Sequence, residues 1–219
     1  MKTNAILFDL DGTLIDTAPD LAYALNEVLN SYSLPLQSIE KVREVASFGS
    51  TVLLKLGLGE SLNEVQFEEA RQRLFDIYSA NIANQSCLMS GMETLLEDLE
   101  RQHILWGVVT NKPKRFTDPL MVELGLADRS ATTVSGDTTD QAKPHPKPML
   151  YACREMSVTP QTCIYIGDAE RDIVAGRAAE MTTLAARFGY LAPDDKIDEW
   201  GAEGVIDHPI EIMEWINSD

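Results

Sequence analysis

Three cysteines and three histidines in 219 residues leave little from which to build a soft-metal site. Cys87, Cys153 and Cys163 are scattered, and so are His103, His145 and His208, with none of the close spacings of a zinc centre. An odd number of scattered cysteines argues against a disulfide scaffold and suits reduced, packed thiols in the cytoplasm. No apolar run approaches the ~18 residues of a membrane-spanning helix. Met1-Lys2-Thr3-Asn4 leads into a strand-length apolar run ended by Asp9, which is not a signal-peptide pattern. The expectation is a cytoplasmic protein without a membrane partner. Positive charge is scarce too: 18 basic residues face 35 acidic ones, a net charge of −17. Such a surface repels phosphodiester backbones, which argues against nucleic acid. A small anionic substrate would then need local positive charge, from lysines or a metal ion.

What is present is a chain with 44% hydrophobic residues, enough for one large domain or a core with a smaller insert. Short apolar runs read as strands: Ala5 to Phe8, Ile104 to Val109, Cys163 to Ile166, Thr182 to Ala186 and Gly204 to Ile206. Helical patterns alternate with them at Pro113 to Leu124, Pro148 to Met156, Arg171 to Ala179 and Pro209 to Trp215. Such alternation predicts an α/β fold, a doubly wound, Rossmann-like parallel sheet with helices on both faces. Ligands bind such sheets at the carboxyl ends of the strands.

Residues 16–86 read differently. Thr17 followed by Asp20 is a helix-start signal, and Leu21, Ala24, Leu25, Val28 and Leu29 recur at helical spacing. A second helical pattern runs from Leu62 to about Ala83, with Val65, Leu74, Ile77 and Tyr78 apolar. No strand is evident. The reading is an all-helical cap over 16–86, inserted after the first strand, with the catalytic core made of 1–15 and 87–219. Its position beside the active edge suggests a lid.

The stretch AILFDLDGTLIDT, from Ala5 to Thr17, ends a buried strand in two carboxylates, Asp9 and Asp11. A conflict of that kind usually marks a functional site. Gly12 permits an unusual backbone there and a close approach of a ligand to the amides. Asp168 adds a third carboxylate, and Asp172, one helical turn on, a fourth. Four converging carboxylates cost several kcal/mol without a cation. A hard dication such as Mg²⁺ resolves the conflict, since it takes oxygen ligands and keeps waters plus substrate phosphate. Thr110, Asn111 and Lys143 supply the opposite character: a hydroxyl, an amide and a point charge suited to phosphoryl oxygens. Lys143 stands in Lys143-Pro144-His145-Pro146, where the prolines stiffen the chain. Lys112, Lys114 and Arg115 read as mostly solvated.

FDLDGTLIDT, VVTNKP, AKPHP and GDAERD, in that order, resemble the four motifs of the haloacid dehalogenase superfamily phosphatases. The resemblance spans essentially the whole chain, and the helical insert resembles that family's α-helical cap. Within the superfamily the chain is similar to the phosphoglycolate phosphatase-like group. The resemblance implies Asp9 as the nucleophile that forms an aspartyl-phosphate. Asp11 would protonate the leaving alcohol and then deprotonate the attacking water. Thr110 and Lys143 would bind the transferring phosphoryl group, with Gly12, Thr13 and Asn111 beside it. Asp9, Asp11 through its carbonyl, and Asp168 would hold Mg²⁺, with Asp172 in or next to the ligand set.

The expected reaction is hydrolysis of a small phosphomonoester, 2-phosphoglycolate first. Ala46-Ser47-Phe48-Gly49-Ser50 is the candidate substrate loop, and it departs from the Gly-Asn-Gly run of many phosphoglycolate phosphatase-like sequences. Together with SGDTTDQAKPHP and WGAEGVI, it is also similar to the N-acetylmuramic acid 6-phosphate phosphatases of peptidoglycan recycling. Arg43, Ser47, Phe48 and Gly49 are the candidate leaving-group contacts; Arg43 could instead pair with Glu40 or Glu44. A phosphosugar mutase and a non-catalytic binding protein are the alternatives on this scaffold. Asp11 argues against a dehalogenase, which needs no acid at that place, and Lys41 and Lys55 lack a context for phosphonate cleavage. The expected assembly is a monomer or homodimer.

Overall fold

The computed structural model describes residues 3–59 and 62–217. Its strands are β1 (Ala5–Phe8), β2 (Ile15–Asp16), β3 (Cys87–Leu88), β4 (Leu105–Val109), β5 (Thr133–Val134), β6 (Cys163–Gly167), β7 (Thr182–Ala186) and β8 (Gly204–Ile206). Six of them form one sheet in the order β5-β4-β1-β6-β7-β8, with every neighbouring pair parallel. The chain builds outward from β1 in one direction through β4 and β5, then returns to build the other side through β6, β7 and β8. That reversal at β1 is the switch point where doubly wound sheets bind ligands.

The apolar run AILF is buried because both faces of the sheet are covered. Ile6 and Phe8 face α5 (Met92–Arg101) and α6 (Lys114–Glu123) in one cluster, with Leu95, Leu96, Leu99, Phe116 and Leu120. Ala5 and Leu7 face the other side, with Met149, Ala152 and Met156 of α7 (Lys147–Met156) and Ala175 of α8 (Glu170–Ala178). A last helix, α9 (Ile212–Asn217), follows β8. The sequence reading contains neither β5 nor α5. β5 has two residues, too few for any periodicity. α5 is legible in hindsight: Met92, Leu95, Leu96 and Leu99 are buried at helical spacing.

The segment between β2 and β3 is helical: α1 (Ala18–Ser31), α2 (Ile39–Ala46), α3 (Ser50–Leu58) and α4 (Glu64–Ala80). α1 packs on α4, α2 and α3 through Leu25, Val28 and Leu29, in the same cluster as Leu53, Leu54 and Leu74. Asn63 and Gln66 form a capping box that starts α4. At the neck, β2 and β3 pair antiparallel, so Asp16 lies in a strand. α1 begins where Thr17 and Asp20 indicate, yet neither residue caps it. The Thr17 hydroxyl donates to Asp11 at 2.6 Å. The Asp20 carboxylate accepts from Gln85 N–H, Ser86 N–H and the Ser86 hydroxyl. The buried Asp20 thus ties the outgoing chain to the returning one.

Among the described residues no helix is long and apolar enough to cross a membrane. Cys153 and Cys163, ten residues apart, meet in the core with sulfurs 3.8 Å apart.

Candidate active site

Asp9 follows β1, Thr110 follows β4 and Asp168 follows β6, so the parallel register brings all three to one sheet edge. α8 then returns Asp172 to the same place. Oxygens of Asp9, Asp168 and Asp172 lie within 4.8 Å of one another, and all three residues are buried. The fully buried Lys143 ammonium holds this cluster together. It lies 2.8 Å from Asp9 Oδ1 and 2.7 Å from Asp172 Oδ1. It also donates to Val109 O at 2.9 Å and to the Tyr165 hydroxyl at 2.8 Å. Lys143 is therefore a support under the carboxylates. It does not line the cavity where a phosphoryl group would enter.

The electrostatics divide the cluster. Burial alone would raise the Asp9 carboxyl, but the charges of Lys143 and Arg171 outweigh it and hold Asp9 below its ordinary value. Asp168 is pushed well above the carboxylate range, first by burial and then by the charges of Asp9 and Asp172. Asp172 is raised chiefly by burial, against the pull of Lys143. The cluster therefore carries more negative charge than the protein compensates. Its donors are all oxygen, which fits a hard divalent cation rather than zinc or copper. Asp172 binds Lys143 through Oδ1 and accepts from Ala169 N–H through Oδ2, so its first duty is to orient Lys143.

The Asp11 side chain stands apart from that cluster. Its Oδ1 accepts from Thr17 at 2.6 Å and lies 2.8 Å from Lys112 Nζ. Lys112 is not solvated as the sequence suggests. Its side chain is 7% exposed and sits over the Tyr78 ring of α4, 4.7 Å from the centroid. Burial opposes its charge, but Asp11 prevails and raises the Lys112 pKa. Lys114 and Arg115 are exposed, and Lys147 pairs with Asp140 away from the site.

Gly12 has φ +81°, and a Cβ there would meet the Asp168 carboxylate and the Tyr190 ring. The buried Thr13 hydroxyl donates to Asp168 Oδ1 at 3.3 Å, and Tyr190 N–H donates to Oδ2 at 2.7 Å. Thr110 lines the cavity, and its hydroxyl accepts from Lys112 N–H at 3.1 Å. Asn111 also reaches the cavity wall, yet both ends of its amide bind the Lys143 backbone at 2.9 Å. It therefore anchors the Lys143 loop to the end of β4.

A cavity of about 280 Å³ opens between this edge and the helical insert. Asp9, Asp11, Thr110, Asn111, Lys112 and Arg171 form its floor. Leu21, Leu53, Leu74, Phe75, Tyr78 and Phe116 make much of its wall apolar. Ser47 and Gly49 line it; Phe48 does not, and its half-exposed ring faces the Arg171 guanidinium at 6.0 Å. Arg43 is not at the cavity either. It pairs with Asp16 at 2.6 Å, and not with Glu40 or Glu44. Asp16 in turn accepts from the Tyr190 hydroxyl at 2.5 Å. Sequence reasoning did not single out Arg171, Tyr165 or Tyr190, and it took Tyr78 only as an apolar helix position. A cation in the first turn of α8, where the helix dipole disfavours it, is the one signal that could have marked Arg171.

The family model for haloacid dehalogenase-like hydrolases matches residues 6–186. The chain belongs to that family. It is 40% identical over 218 residues to an N-acetylmuramic acid 6-phosphate phosphatase of Pseudomonas putida, covering 100% of this chain and 98% of the relative. It is 38% identical over 210 residues to a phosphoglycolate phosphatase of Xanthomonas campestris, covering 96% and 95%. The crystal structure of a predicted phosphoglycolate phosphatase from Haemophilus somnus superposes with a TM-score of 0.87 at 27% identity, covering 98% of both chains. This haloacid dehalogenase-like protein is a phosphatase, a phosphoric monoester hydrolase, with the α/β core and helical cap its motifs imply.

Proposed function

We propose that the chain hydrolyses the phosphomonoester of a sugar acid, N-acetylmuramic acid 6-phosphate, through an aspartyl-phosphate on Asp9. The observation that carries the reading is that Asp9 belongs both to the acidic cluster and to the cavity floor. Its Oδ1 is held by Lys143 and by Leu10 N–H, which leaves Oδ2 for attack on phosphorus. Lys143 and Arg171 keep it ionised. As the Asp9–phosphorus bond forms, the phosphorus–alkoxide bond breaks and Asp11 gives the alcohol its proton. Water then attacks phosphorus, its proton passes to Asp11, and Asp9 is released. Asp9, Asp168 and the Asp11 carbonyl would hold Mg²⁺, with Asp172 next to them. The ion supplies charge stabilisation for the phosphoryl oxygens.

The cavity argues for the larger of the two substrates named for the relatives. Its volume of about 280 Å³ far exceeds the about 10–15 Å³ that admits a single water. A two-carbon glycolate leaves much of that empty, and little of the apolar wall would serve it. Ser47, which lines the cavity, carries a buried hydroxyl without a hydrogen-bond partner among the described residues, as a hydroxyl- or amide-bearing sugar would need. 2-Phosphoglycolate is the second reading, supported by the Xanthomonas relative's name. The cytoplasm is the compartment that suits the free Cys153 and Cys163 pair.

The test is phosphate release from a panel containing both compounds, with Mg²⁺ and with chelator, and Asp9→Asn as the blank. The reading expects N-acetylmuramic acid 6-phosphate to lead 2-phosphoglycolate by about 10²-fold in kcat/KM. The reverse order would establish the second reading.

A further inference from the structure

Three cations border the site, and two are occupied. Lys143 is surrounded by four oxygens, and Lys112 is held on Asp11. No hydrogen bond or ion pair to a described residue engages the Arg171 guanidinium, which lines the cavity. Its own helix places it badly, since the first turn of α8 favours anions. A free, fork-shaped donor in a half-enclosed site is suited to a carboxylate.

The cap presents the matching wall. α3 starts at Ser50 with Gly49 as its N-cap, a residue with no side chain to cap the first N–H groups. Gly49 and Ser50 both line the cavity, so the positive end of α3 borders the same space as Arg171. The loop leading into α3 is close to Arg171, because Phe48 faces the guanidinium at 6.0 Å. Ser47, in the same loop, contributes a buried hydroxyl without a partner among the described residues. Core and cap thus offer an anion slot beside the Asp9 cluster, in the same cavity.

We propose that Arg171, with the start of α3, binds a carboxylate on the leaving group, so that the substrate class is phosphomonoesters of carboxylic acids. This rests on the phosphatase reading above and deepens it. It applies to either substrate, since N-acetylmuramic acid and glycolic acid both carry a carboxylate. Arg171 then sets specificity for the alcohol in addition to its pull on the Asp9 carboxylate, so the acid-to-neutral ratio, and not the absolute rate, reads the proposed role.

Matched substrate pairs test it. N-Acetylmuramic acid 6-phosphate is compared with N-acetylglucosamine 6-phosphate, which lacks the lactyl carboxylate. 2-Phosphoglycolate is compared with 2-hydroxyethyl phosphate. The intact protein should prefer the acid of at least one pair by about 10²-fold in kcat/KM. Arg171→Gln should bring that ratio close to one, mainly through KM, and Arg171→Lys should restore part of it. A wild-type protein that does not discriminate within either pair overturns the proposal. So does an Arg171→Gln variant in which both members fall in parallel, since Arg171 would then serve the phosphoryl group. Failure of the phosphatase reading is distinguishable: no phosphate would appear from any of the four, nor from p-nitrophenyl phosphate.

Discussion

Lys112 Nζ lies 2.8 Å from Asp11 Oδ1 and 4.7 Å from the centre of the Tyr78 ring. One cation therefore joins the β4 loop, the proposed acid and cap helix α4. Lys112→Met leaves Asp11 held by Thr17 alone. Misplacement of a reacting group by about 1 Å can cost about 10²-fold, and kcat should fall by about that factor while the fold persists. Unchanged kcat would show that Asp11 needs no such support.

The raised carboxyls of Asp168 and Asp172 predict a pH-dependent effect of Mg²⁺ on stability. Above the ordinary carboxylate pKa of about 3.9, the folded state retains protons that the unfolded state has lost. Stability from these groups is thus greatest below that value and is lost as pH rises through their folded pKa values. A cation replaces the lost protons. Mg²⁺ at about 100 times its Kd adds about 2.7 kcal/mol, or about 5–10 °C in Tm for a chain of this size. The increment should be full at pH 8, smaller at pH 5, and absent in Asp168→Asn. Thermal melts with and without Mg²⁺ measure it; an increment independent of pH would refute the assigned site.

Asp20 accepts from Gln85 N–H, Ser86 N–H and the Ser86 hydroxyl while fully buried. Asp20→Ala leaves those donors unmatched, at about 1–3 kcal/mol for each buried group. Urea unfolding should show a loss of about 3 kcal/mol or more. A loss under about 1 kcal/mol would mean that water replaces the carboxylate.

Tyr190 connects two parts of the molecule. Its N–H holds Asp168, and its hydroxyl donates to Asp16 and accepts from Ala18 N–H. Tyr190→Phe keeps the first contact and removes the others. It should lower stability by about 1–2 kcal/mol. Because Asp16 also carries Arg43, the cap should become more susceptible to limited proteolysis. Equal cleavage rates in both proteins would remove this link from the account.

The sheet and the acidic cluster were legible because their signals are local. A buried run ending in Asp9, and a second ending in Asp168, required only a parallel register to meet. The helical insert was equally plain from its 3.6-residue periodicity. What stayed hidden depends on distant partners. Thr17 and Asp20 have the form of a helix-start signal, yet tertiary partners 6 and 65 or more residues away take both side chains. Lys112 reads as a surface lysine because nothing in VVTNKP shows that Tyr78 will cover it. Arg43 reads as a substrate contact or a partner of its helix neighbours, and only the neck strand brings Asp16 to it. The Cys153–Cys163 contact is likewise a product of packing between α7 and β6.

The central claim is that Asp9 attacks phosphorus. The most direct measurement is an acid quench of the Mg²⁺-loaded protein during turnover of ³²P-labelled substrate, followed by peptide mapping. The account predicts hydroxylamine-labile label on the peptide containing Asp9, and none in Asp9→Asn. Label on another residue, or phosphate release with no protein-bound label at any quench time, would contradict it.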